Sequence, residues 1–241
     1  DTPDTYMDVQ TKRPAEEDPE GAPPLKKVTA CPSKVSPLEK ASASGLRMTQ
    51  ADKDGWRWYG SLLTYVTADC TPREKIAAFD FDGCLANTSL FRKGPDAWSL
   101  MYTCIPDVLS SLHTAGYKLV IMTNQAEIGK ATKTKEKIIA EKKGRLRGLI
   151  SKVSAPIQVL CATAAAKMPD RYRKPGRGMW DVLSEGLNGS TPVSLEESFF
   201  VGDAAGRPKD HSDTDLRFAQ TVGLRFFTED AFFRDNGWKD F

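Results

Sequence analysis

The sequence predicts an α/β fold in which a parallel sheet carries helices on both faces. Two observations lead to this prediction. Apolar runs that end abruptly in polar or acidic residues recur from about residue 56 onward, and segments with helical spacing lie between them. Strands that alternate with helices are typical of a parallel sheet, because the crossover helices cover its faces.

Residues 1–47 are predicted to be a disordered tail, and residues 48–241 a single folded domain. The tail is rich in Pro, Ala, Ser, Thr and charge, and it lacks the apolar periodicity that builds a core. Within it, Lys12-Arg13 and Lys26-Lys27 are separated by twelve residues. This spacing is typical of a bipartite nuclear localisation signal, and scattered charge in a solvated tail produces it as readily. The first interpretation predicts a nuclear protein.

The composition argues against several classes of protein. The five cysteines are widely spaced and form no CxxC pair, which argues against a zinc site or a disulfide framework and favours a reducing compartment. Two histidines are too few for a histidine-rich metal site. No apolar run approaches the roughly 20 residues required to cross a bilayer, so no membrane is expected as a partner.

Five apolar segments are predicted to be buried strands, since each is short, apolar and bounded by polar residues or turn formers. They span residues 75–83, 117–125, 156–164, 197–205 and 223–228. A compact, largely apolar stretch at residues 56–66 precedes them.

Three helices are predicted between the strands. The first covers residues 105–115, with Pro106 in its first turn and Gly116 just past its end. A long, very basic helix covers residues 132–151, and apolar residues from Met179 to Leu183 indicate a third. The result is a Rossmann-like sheet, whose reactive groups are expected at the carboxyl ends of the strands. Only about 30 residues separate the first strand from Tyr117, which leaves room for a minimal cap.

Two carboxylates alternate at the end of the first predicted strand, in the sequence FDFDG (79–83). Alternation directs Asp80 and Asp82 to the same side. Their repulsion is relieved by a bound cation or by protonation of one carboxylate. Oxygen ligands without a nearby histidine or thiolate favour Mg²⁺. Taken alone, the pair is also compatible with two carboxylates that only cap a turn.

Three further motifs carry groups that suit a phosphate or a metal ion. Thr123 and Asn124 offer neutral hydrogen-bond donors to phosphate oxygens, although both residue types also form turns. Lys174 supplies a compact positive charge in a loop. Asp203 ends an apolar strand after a glycine and is a candidate metal ligand.

The order and spacing of DxDG, a strand-end threonine, a loop lysine and GD resemble the haloacid dehalogenase superfamily of aspartate-nucleophile phosphatases. More specifically, AFDFDG, GYKLVIMTNQAEIGK, YRKPGRGMWD and FFVGDAAGRP are similar to the polynucleotide 3′-phosphatase family, the phosphatase part of polynucleotide kinase/phosphatase. The closing segment, 215–233, is similar as well, and the resemblance covers about residues 56–233. Cys84 stands where this family usually has threonine, and the GxxxxGK[ST] loop of a 5′-kinase is absent.

The resemblance implies a haloacid-dehalogenase-like fold and roles for individual residues. Asp80 is implied as the nucleophile and Asp82 as the general acid and base. Mg²⁺ would be held by the carboxylates of Asp80 and Asp203 and by the backbone carbonyl of Asp82. The phosphoryl oxygens would be bound by Thr123, Asn124 and Lys174.

The charge distribution favours a nucleic acid as the substrate. Residues 130–152 contain nine Lys or Arg and two Glu. Such a concentration attracts a polyanion, although a basic helix face is often only solvated. The expected nucleic-acid contacts are Lys130, Arg173 and Arg207.

Together these patterns predict a monomeric, Mg²⁺-dependent phosphatase that removes 3′-phosphates from DNA strand-break ends in the nucleus, with other DNA-repair proteins as partners. Two alternatives stay open. One is a phosphatase of a small phosphorylated metabolite, and the other is a catalytically idle nucleic-acid-binding module that retains the fold.

Overall fold

The described part of the chain contains every strand that the sequence predicts. The computed structural model describes residues 48–89 and 91–241, so the predicted tail and its localisation signal lie outside the described residues. The strands are β1 (Arg57–Tyr59), β2 (Leu62–Val66), β3 (Lys75–Phe79), β4 (Ala86–Thr88), β5 (Trp98–Leu100), β6 (Tyr117–Asn124), β7 (Ile157–Ala162), β8 (Phe199–Gly202) and β9 (Arg225–Thr228). Within these residues, seven strands form one sheet in the order β1-β2-β7-β6-β3-β8-β9.

The centre of the sheet is parallel, as the alternation of strands and helices predicts. β3 pairs with β6 on one side and with β8 on the other, and β7 and β9 extend the sheet outward. The apolar stretch 56–66 forms an antiparallel edge, in which β1 pairs with β2 and β2 with β7. Gly60 in the tight turn between β1 and β2 has a φ of 61°, a conformation that favours glycine.

Helices cover both faces of the sheet, as predicted. They are α1 (Ile105–Thr114), α2 (Ala126–Lys130), α3 (Lys135–Ile150), α4 (Gly178–Val182) and α5 (Thr214–Val222). α4 continues into a π-helical turn, Leu183–Leu187, and β9 is followed by a π-helical turn, Asp230–Arg234, and a 3₁₀ turn, Gly237–Asp240. Among the described residues, no helix is both long enough and apolar enough to cross a membrane.

Strand alternation divides the core between the two faces. Ala77 and Phe79 of β3 belong to the cluster that includes residues of α1 and α3. Ile76 and Ala78 of the same strand belong to the cluster that includes residues of α4 and α5. The site that follows β3 therefore rests on a strand that is packed on both sides.

The segment between β3 and β6 contains a small hairpin and α1, which agrees with the predicted minimal cap. β4 and β5 pair antiparallel to form the hairpin. Its loop is fastened to α3, because the Arg145 guanidinium donates to the carbonyl oxygens of Arg92 (2.7 Å) and Gly94 (3.1 Å). α3 approaches the hairpin at Gly148, where a Cβ would lie 2.7 Å from the Trp98 ring.

The strand order creates a crevice beside β3. From β3 the chain moves outward to β6 and β7, and it then returns to β8 on the opposite side of β3. In open parallel sheets, ligands bind at such a reversal, outside the carboxyl ends of the strands. The polar residues that follow β3 and β8 and end β6 lie at this crevice.

Candidate active site

A pocket of about 240 Å³ opens at the carboxyl ends of β3, β6 and β8. Its lining includes every residue that the sequence predicts for catalysis and for phosphate and metal binding, together with one predicted nucleic-acid contact: Asp80, Asp82, Thr123, Asn124, Arg173, Lys174 and Asp203. Of the predicted site residues, Lys130 and Arg207 lie outside it.

A buried lysine joins two carboxylates at the base of the pocket. Lys174 Nζ lies 2.6 Å from Asp80 Oδ1 and 2.8 Å from Asp215 Oδ1, and the lysine is 1% exposed. Burial alone would lower the pKa of Lys174, but the charges of Asp215 and Asp80 raise it above its usual value. The ammonium group is therefore charged, and it is fixed beside the carboxylate that the sequence predicts as the nucleophile.

The carboxylates of the pocket carry more charge than Lys174 neutralises. Asp80 directly follows β3, and burial raises the pKa of its carboxyl well above the usual range, while the Lys174 charge acts in the opposite direction. Burial, followed by the charge of Asp215, raises the pKa of Asp203 to about 6. Burial and neighbouring carboxylates therefore oppose ionisation of both groups more than the nearby positive charges favour it.

Three carboxylates are arranged so that they can share a metal ion. Asp80, Asp203 and Asp215 offer oxygen atoms that lie within 4.8 Å of one another. Since Lys174 pairs with only two of the three, a net negative charge remains, and the donors are hard oxygen atoms. Mg²⁺ prefers this type of ligand. The residues therefore fit the predicted magnesium site, with Asp215 as an additional donor.

Asp215 is a site residue that the sequence did not reveal. It lies in the first turn of α5 and is 2% exposed, and its Oδ2 accepts a hydrogen bond from the Ala204 N–H (3.2 Å). A Cβ at position 202 would lie 2.6 Å from the Asp215 carboxyl carbon, so Gly202 makes room for this carboxylate. An acidic residue in the first turn of a helix is common because it complements the helix dipole, so the position of Asp215 carried no distinct signal.

The carboxylate of Asp82 is held apart from this cluster. Thr88 Oγ1 donates to Asp82 Oδ1 (2.5 Å), and Gln125 Nε2 donates to Asp82 Oδ2 (2.6 Å). Gln125 Nε2 also lies 2.9 Å from Thr123 Oγ1. Neither Thr88 nor Gln125 was predicted as a site residue, because no sequence pattern places β4 against the end of β6.

The Asn124 side chain binds the backbone of Lys174, which differs from the predicted phosphate contact. Its Oδ1 accepts a hydrogen bond from the Lys174 N–H (2.9 Å), and its Nδ2 donates to the Lys174 carbonyl (3.1 Å). This pair of hydrogen bonds fixes the loop that carries the lysine to the end of β6. Direct contact of Asn124 with a phosphate stays a prediction.

The loop before Lys174 presents a second cation to the pocket. Asp170 Oδ1 accepts hydrogen bonds from the N–H groups of Tyr172 (2.8 Å) and Arg173 (2.9 Å), and Ser61 donates to the other oxygen of Asp170. Arg173 lines the pocket, and its Nη1 is buried without a hydrogen-bond partner among the described residues. A buried donor without a partner is costly. Because Nη1 is enclosed, only the part of the Arg173 side chain that lines the pocket is open to an anionic ligand.

Arg207 and Lys130 were predicted as nucleic-acid contacts and lie in different settings. The Arg207 guanidinium contacts acceptors of the protein itself, which are the carboxylates of Asp210, Glu229 and Asp230 and the carbonyl of Asp203. Arg207 thereby braces the loop that follows β8. Lys130 ends α2 and is exposed. Contact with nucleic acid stays a prediction for both residues.

Part of the basic stretch 130–152 is paired within the protein and is less free to bind a polyanion than its charge alone predicts. Four of its nine basic side chains contact acids or carbonyl groups of the chain: Lys142, Lys143, Arg145 and Arg147. These contacts join α3 to α2, to the segment before β1 and to the β4–β5 loop. Exposed lysines lie mainly at the other end of the stretch, from Lys130 to Lys137.

Cys84, which stands where the similar family usually has threonine, belongs to the core. It is buried, and its thiol contacts the Val201 carbonyl at 3.5 Å. Burial raises the pKa of the thiol well above its usual range. The side chain is therefore a neutral packing group, and it does not line the pocket.

Sequence comparisons agree with the resemblance that the motifs indicate. Residues 75–233 match the family model described as polynucleotide kinase 3 phosphatase. Over 166 residues the chain is 49% identical to polynucleotide 3′-phosphatase ZDP of Arabidopsis thaliana, and the match covers 66% of this chain and 24% of that protein. Over 218 residues it is 30% identical to the bifunctional polynucleotide phosphatase/kinase of Schizosaccharomyces pombe, with 83% and 51% covered. The chain thus spans about a quarter and about half of these relatives.

A structural comparison supports the fold. A crystal structure of a Mesorhizobium loti protein described as a HAD-like phosphatase superposes with a TM-score of 0.52 at 22% identity. The match covers 68% of this chain and 77% of that one. The predicted haloacid-dehalogenase-like α/β fold is confirmed.

Proposed function

Because the chain belongs to the polynucleotide kinase 3 phosphatase family, we propose that it removes the phosphate from 3′ ends of DNA through a phosphoaspartate on Asp80. The observation that carries this proposal is the pocket that Asp80, Asp82, Lys174 and Asp203 share. A carboxylate beside a fixed ammonium group provides both a nucleophile and a preorganised positive charge for a phosphate ester.

In the first step, a carboxylate oxygen of Asp80 attacks phosphorus, and the bond from phosphorus to the 3′ oxygen breaks. The electron pair of that bond stays on the departing oxygen, which takes a proton from Asp82. The strand then ends in a 3′-hydroxyl, and the phosphoryl group is bound to Asp80. A difficult hydrolysis is thereby divided into two easier steps.

In the second step, a water molecule attacks the phosphorus of the phosphoaspartate. The Asp82 carboxylate takes a proton from this water, and the bond from phosphorus to the Asp80 oxygen breaks. Inorganic phosphate leaves, and both carboxyl groups return to their starting states. Asp82 therefore acts first as a general acid and then as a general base.

A magnesium ion would be held by the carboxylates of Asp80 and Asp203 and by the backbone carbonyl of Asp82, with Asp215 as a further donor. When bound, it would neutralise negative charge on the nucleophile and on the phosphate, so that two anions can meet. Lys174 and the Thr123 hydroxyl would bind the phosphoryl oxygens, with Asn124 at the same edge of the pocket. The cluster of oxygen atoms within 4.8 Å supports this assignment.

A DNA end suits the surroundings of the pocket better than a small metabolite does. The hairpin of β4 and β5 is a small insertion, which leaves the pocket accessible to the end of a polymer. Arg173 lines the pocket and would offer the charge of its guanidinium to a further phosphate of the strand. Lys130, at the end of the helix that follows β6, would add a contact outside the pocket.

The proposed reaction implies a role for the protein in the cell. Removal of a 3′-phosphate restores the hydroxyl group at a blocked strand break, so the protein would act in DNA repair, in the nucleus and beside other DNA-repair proteins. The pairs Lys12-Arg13 and Lys26-Lys27 support nuclear import. Their replacement by alanine should leave a fluorescently tagged chain in the cytoplasm. Action as a monomer stays a prediction.

The experiment that tests the activity compares substrates and one variant. The purified protein with Mg²⁺ is offered a 3′-phosphorylated oligonucleotide, the 5′-phosphorylated form and a sugar phosphate, and the inorganic phosphate released is measured. We expect release from the first substrate and a loss of at least ~10³-fold in Asp80→Asn, because the nucleophile is absent. If the sugar phosphate is cleaved and the oligonucleotide is not, the DNA proposal is wrong. Oligonucleotide binding without any cleavage would indicate an idle module.

A further inference from the structure

The Asp82 carboxyl group is bound by two side chains that come from separate parts of the chain. Thr88 at the end of β4 donates to Oδ1 at 2.5 Å, and Gln125 directly after β6 donates to Oδ2 at 2.6 Å. Each oxygen of the carboxylate therefore has its own donor. Because the two donors come from different parts of the chain, they restrict rotation of the carboxyl group about its χ angles, and the Thr88 hydroxyl can donate to the ionised form or accept from the protonated form.

Neither donor is placed to touch a substrate. Gln125 is 3% exposed, and among the described residues that line the pocket neither Gln125 nor Thr88 occurs, whereas Asp82 does. An effect of these side chains on the reaction must therefore act through the residues that they contact. The orientation of the Gln125 amide follows from chemistry, because only its nitrogen can face a carboxylate favourably.

Gln125 also connects two groups of the site. The same Nε2 lies 2.9 Å from Thr123 Oγ1, and it therefore occupies an acceptor position of that hydroxyl. The hydroxyl proton of Thr123 is then free to point toward a phosphoryl oxygen. One buried amide thus orients both the acid–base carboxyl group and a phosphate-binding hydroxyl.

We propose that Gln125 and Thr88 are positioning residues that hold the Asp82 carboxyl group in the orientation needed for proton transfer in both steps of the reaction. This inference rests on the proposed function, in which Asp82 protonates the departing 3′ oxygen and later takes a proton from water. Removal of either donor should leave the pocket intact and let the carboxyl group rotate away from the reacting atoms. A loss of proton transfer is then expected without a comparable loss of substrate binding.

The variants Thr88→Val and Gln125→Met remove one donor each and keep the shape of the side chain. With a 3′-phosphorylated oligonucleotide and Mg²⁺, we expect kcat to fall by ~10²-fold in both variants, which is a typical effect of losing general acid–base catalysis. KM should stay near the wild-type value in Thr88→Val, because the Thr88 hydroxyl contacts Asp82 alone. KM should rise in Gln125→Met, because the Thr123 hydroxyl also loses its partner. Thr88→Ser retains the hydroxyl group and should recover most of kcat. The two variants are independent, so a folding defect at one position leaves the other as the test.

A second substrate separates positioning from a general structural role. p-Nitrophenolate leaves without a proton, whereas the water of the second step must still lose one. With p-nitrophenyl phosphate, the variants should release about one p-nitrophenolate per enzyme in a rapid burst, followed by slow turnover limited by breakdown of the phosphoaspartate. Stopped-flow absorbance measures both phases.

The outcomes are distinguishable. A drop in kcat in both variants, an unchanged KM in Thr88→Val, rescue by Thr88→Ser and a burst support the inference. Wild-type kinetics in both Thr88→Val and Gln125→Met, or equal slowing of the burst and of the steady state, would overturn it. Failure of the wild-type protein to cleave the oligonucleotide would instead overturn the proposed function, independently of the variants.

Discussion

Lys174 balances only part of the charge that Asp80, Asp203 and Asp215 bring into the pocket. A buried charge without a partner is strongly unfavourable, whereas a buried charge that is paired and hydrogen-bonded is tolerated. The ammonium group is enclosed and contacts two of the three carboxylates. Substitution of one partner therefore changes both the position of the lysine and the negative charge available to a metal ion.

The variant Asp215→Asn tests this balance. The amide lacks the charge that binds Lys174 and that would attract Mg²⁺, so we expect the Mg²⁺ concentration for half-maximal activity to rise by ~10-fold or more, as loss of a group that supports a metal site typically causes. Phosphate release at increasing Mg²⁺ measures this shift. Asp213→Asn is the matched control, because Asp213 lies two residues away and is exposed. An unchanged Mg²⁺ requirement in Asp215→Asn would contradict the assignment.

Gly83 combines a backbone requirement with a steric one. Its φ is 89°, and a Cβ there would lie 2.7 Å from the carboxyl carbon of Asp203. We expect Gly83→Ala to displace the Asp203 carboxylate and lower activity by ~10²-fold, which is what a shift of about 1 Å at a reacting group can cost.

Gly94 provides the control for that variant. Its φ is 111°, and no atom of the described residues lies within 4 Å of the added Cβ, so Gly94→Ala introduces backbone strain alone. We expect a loss of about 1 kcal/mol in the free energy of unfolding with activity retained. Urea denaturation and phosphate release measure the two effects. Equal activity losses in both variants would show that strain, and not the Asp203 contact, is responsible.

The sequence predicted site residues whose identity is chemically conspicuous, and it missed those whose role depends on packing. Asp80, Lys174 and Asp203 follow apolar strands or stand in a distinctive loop motif, so their positions were readable. Asp215 is separated from Asp203 by a polar loop and reaches the pocket only because α5 packs against β8. The two hydrogen bonds between the Asn124 side chain and the Lys174 backbone depend on the path of a loop, and the sequence of that loop has no periodic pattern that predicts its path.

At the scale of elements, both the length of an apolar segment and the contrast with the residues that bound it decided which strands were predictable. β2 has five residues and was not singled out, whereas β8 and β9 have four each and were. β6 has eight residues and β7 has six, and both were recognised as apolar runs. β1, β4 and β5 have three residues each, which is too short for an alternating pattern to stand out. Their positions follow from pairing with distant segments, which a single sequence does not record.

Glu127 links α2 to α3 through charge. It lies 2.8 Å from Lys142 Nζ and 3.7 Å from Lys93 Nζ, and the hydrogen bond from Lys142 lowers the pKa of Glu127. A carboxyl group whose pKa is lowered by folding adds stability above its unfolded pKa of about 4.3, and this stability is lost as the pH falls through the folded value. Glu127→Gln should therefore reduce the free energy of unfolding by about 1 kcal/mol near neutral pH.

The pH dependence distinguishes this ion pair from a loss of packing. Urea denaturation of the wild type and of Glu127→Gln, repeated from about pH 7 down to about pH 3, should show a difference that closes below the unfolded pKa of about 4.3. Glu196→Gln, at an exposed position, should match the wild type throughout. A difference that persists unchanged at the lowest pH would assign the effect to packing instead.

For the whole molecule, the topology of the sheet places some basic residues at the carboxyl ends of the parallel strands and others at the amino ends. α2 and α3 begin at the carboxyl end of β6, and α3 returns the chain to the amino end of β7. Lys130 therefore lies at the carboxyl ends of the strands, where the pocket is, whereas Lys152, just after α3, lies at their amino ends. A net charge of +2 conceals this difference, because it counts both residues alike.

The kinetics with a polymer substrate should depend on basic residues near the pocket and not on those at the amino ends of the strands. Each phosphate contact made by a lysine releases counterions, so we expect Lys130→Ala to raise KM for a 3′-phosphorylated oligonucleotide and to reduce the slope of log kcat/KM against log salt by ~0.7. Turnover of p-nitrophenyl phosphate, which has no strand beyond the reacting group, should be unaffected. Lys152→Ala removes the same charge from the amino ends of the strands and should leave the kinetics with both substrates unchanged. If the two variants weaken the oligonucleotide reaction equally, then overall charge, and not a strand path leading to the pocket, accounts for the attraction.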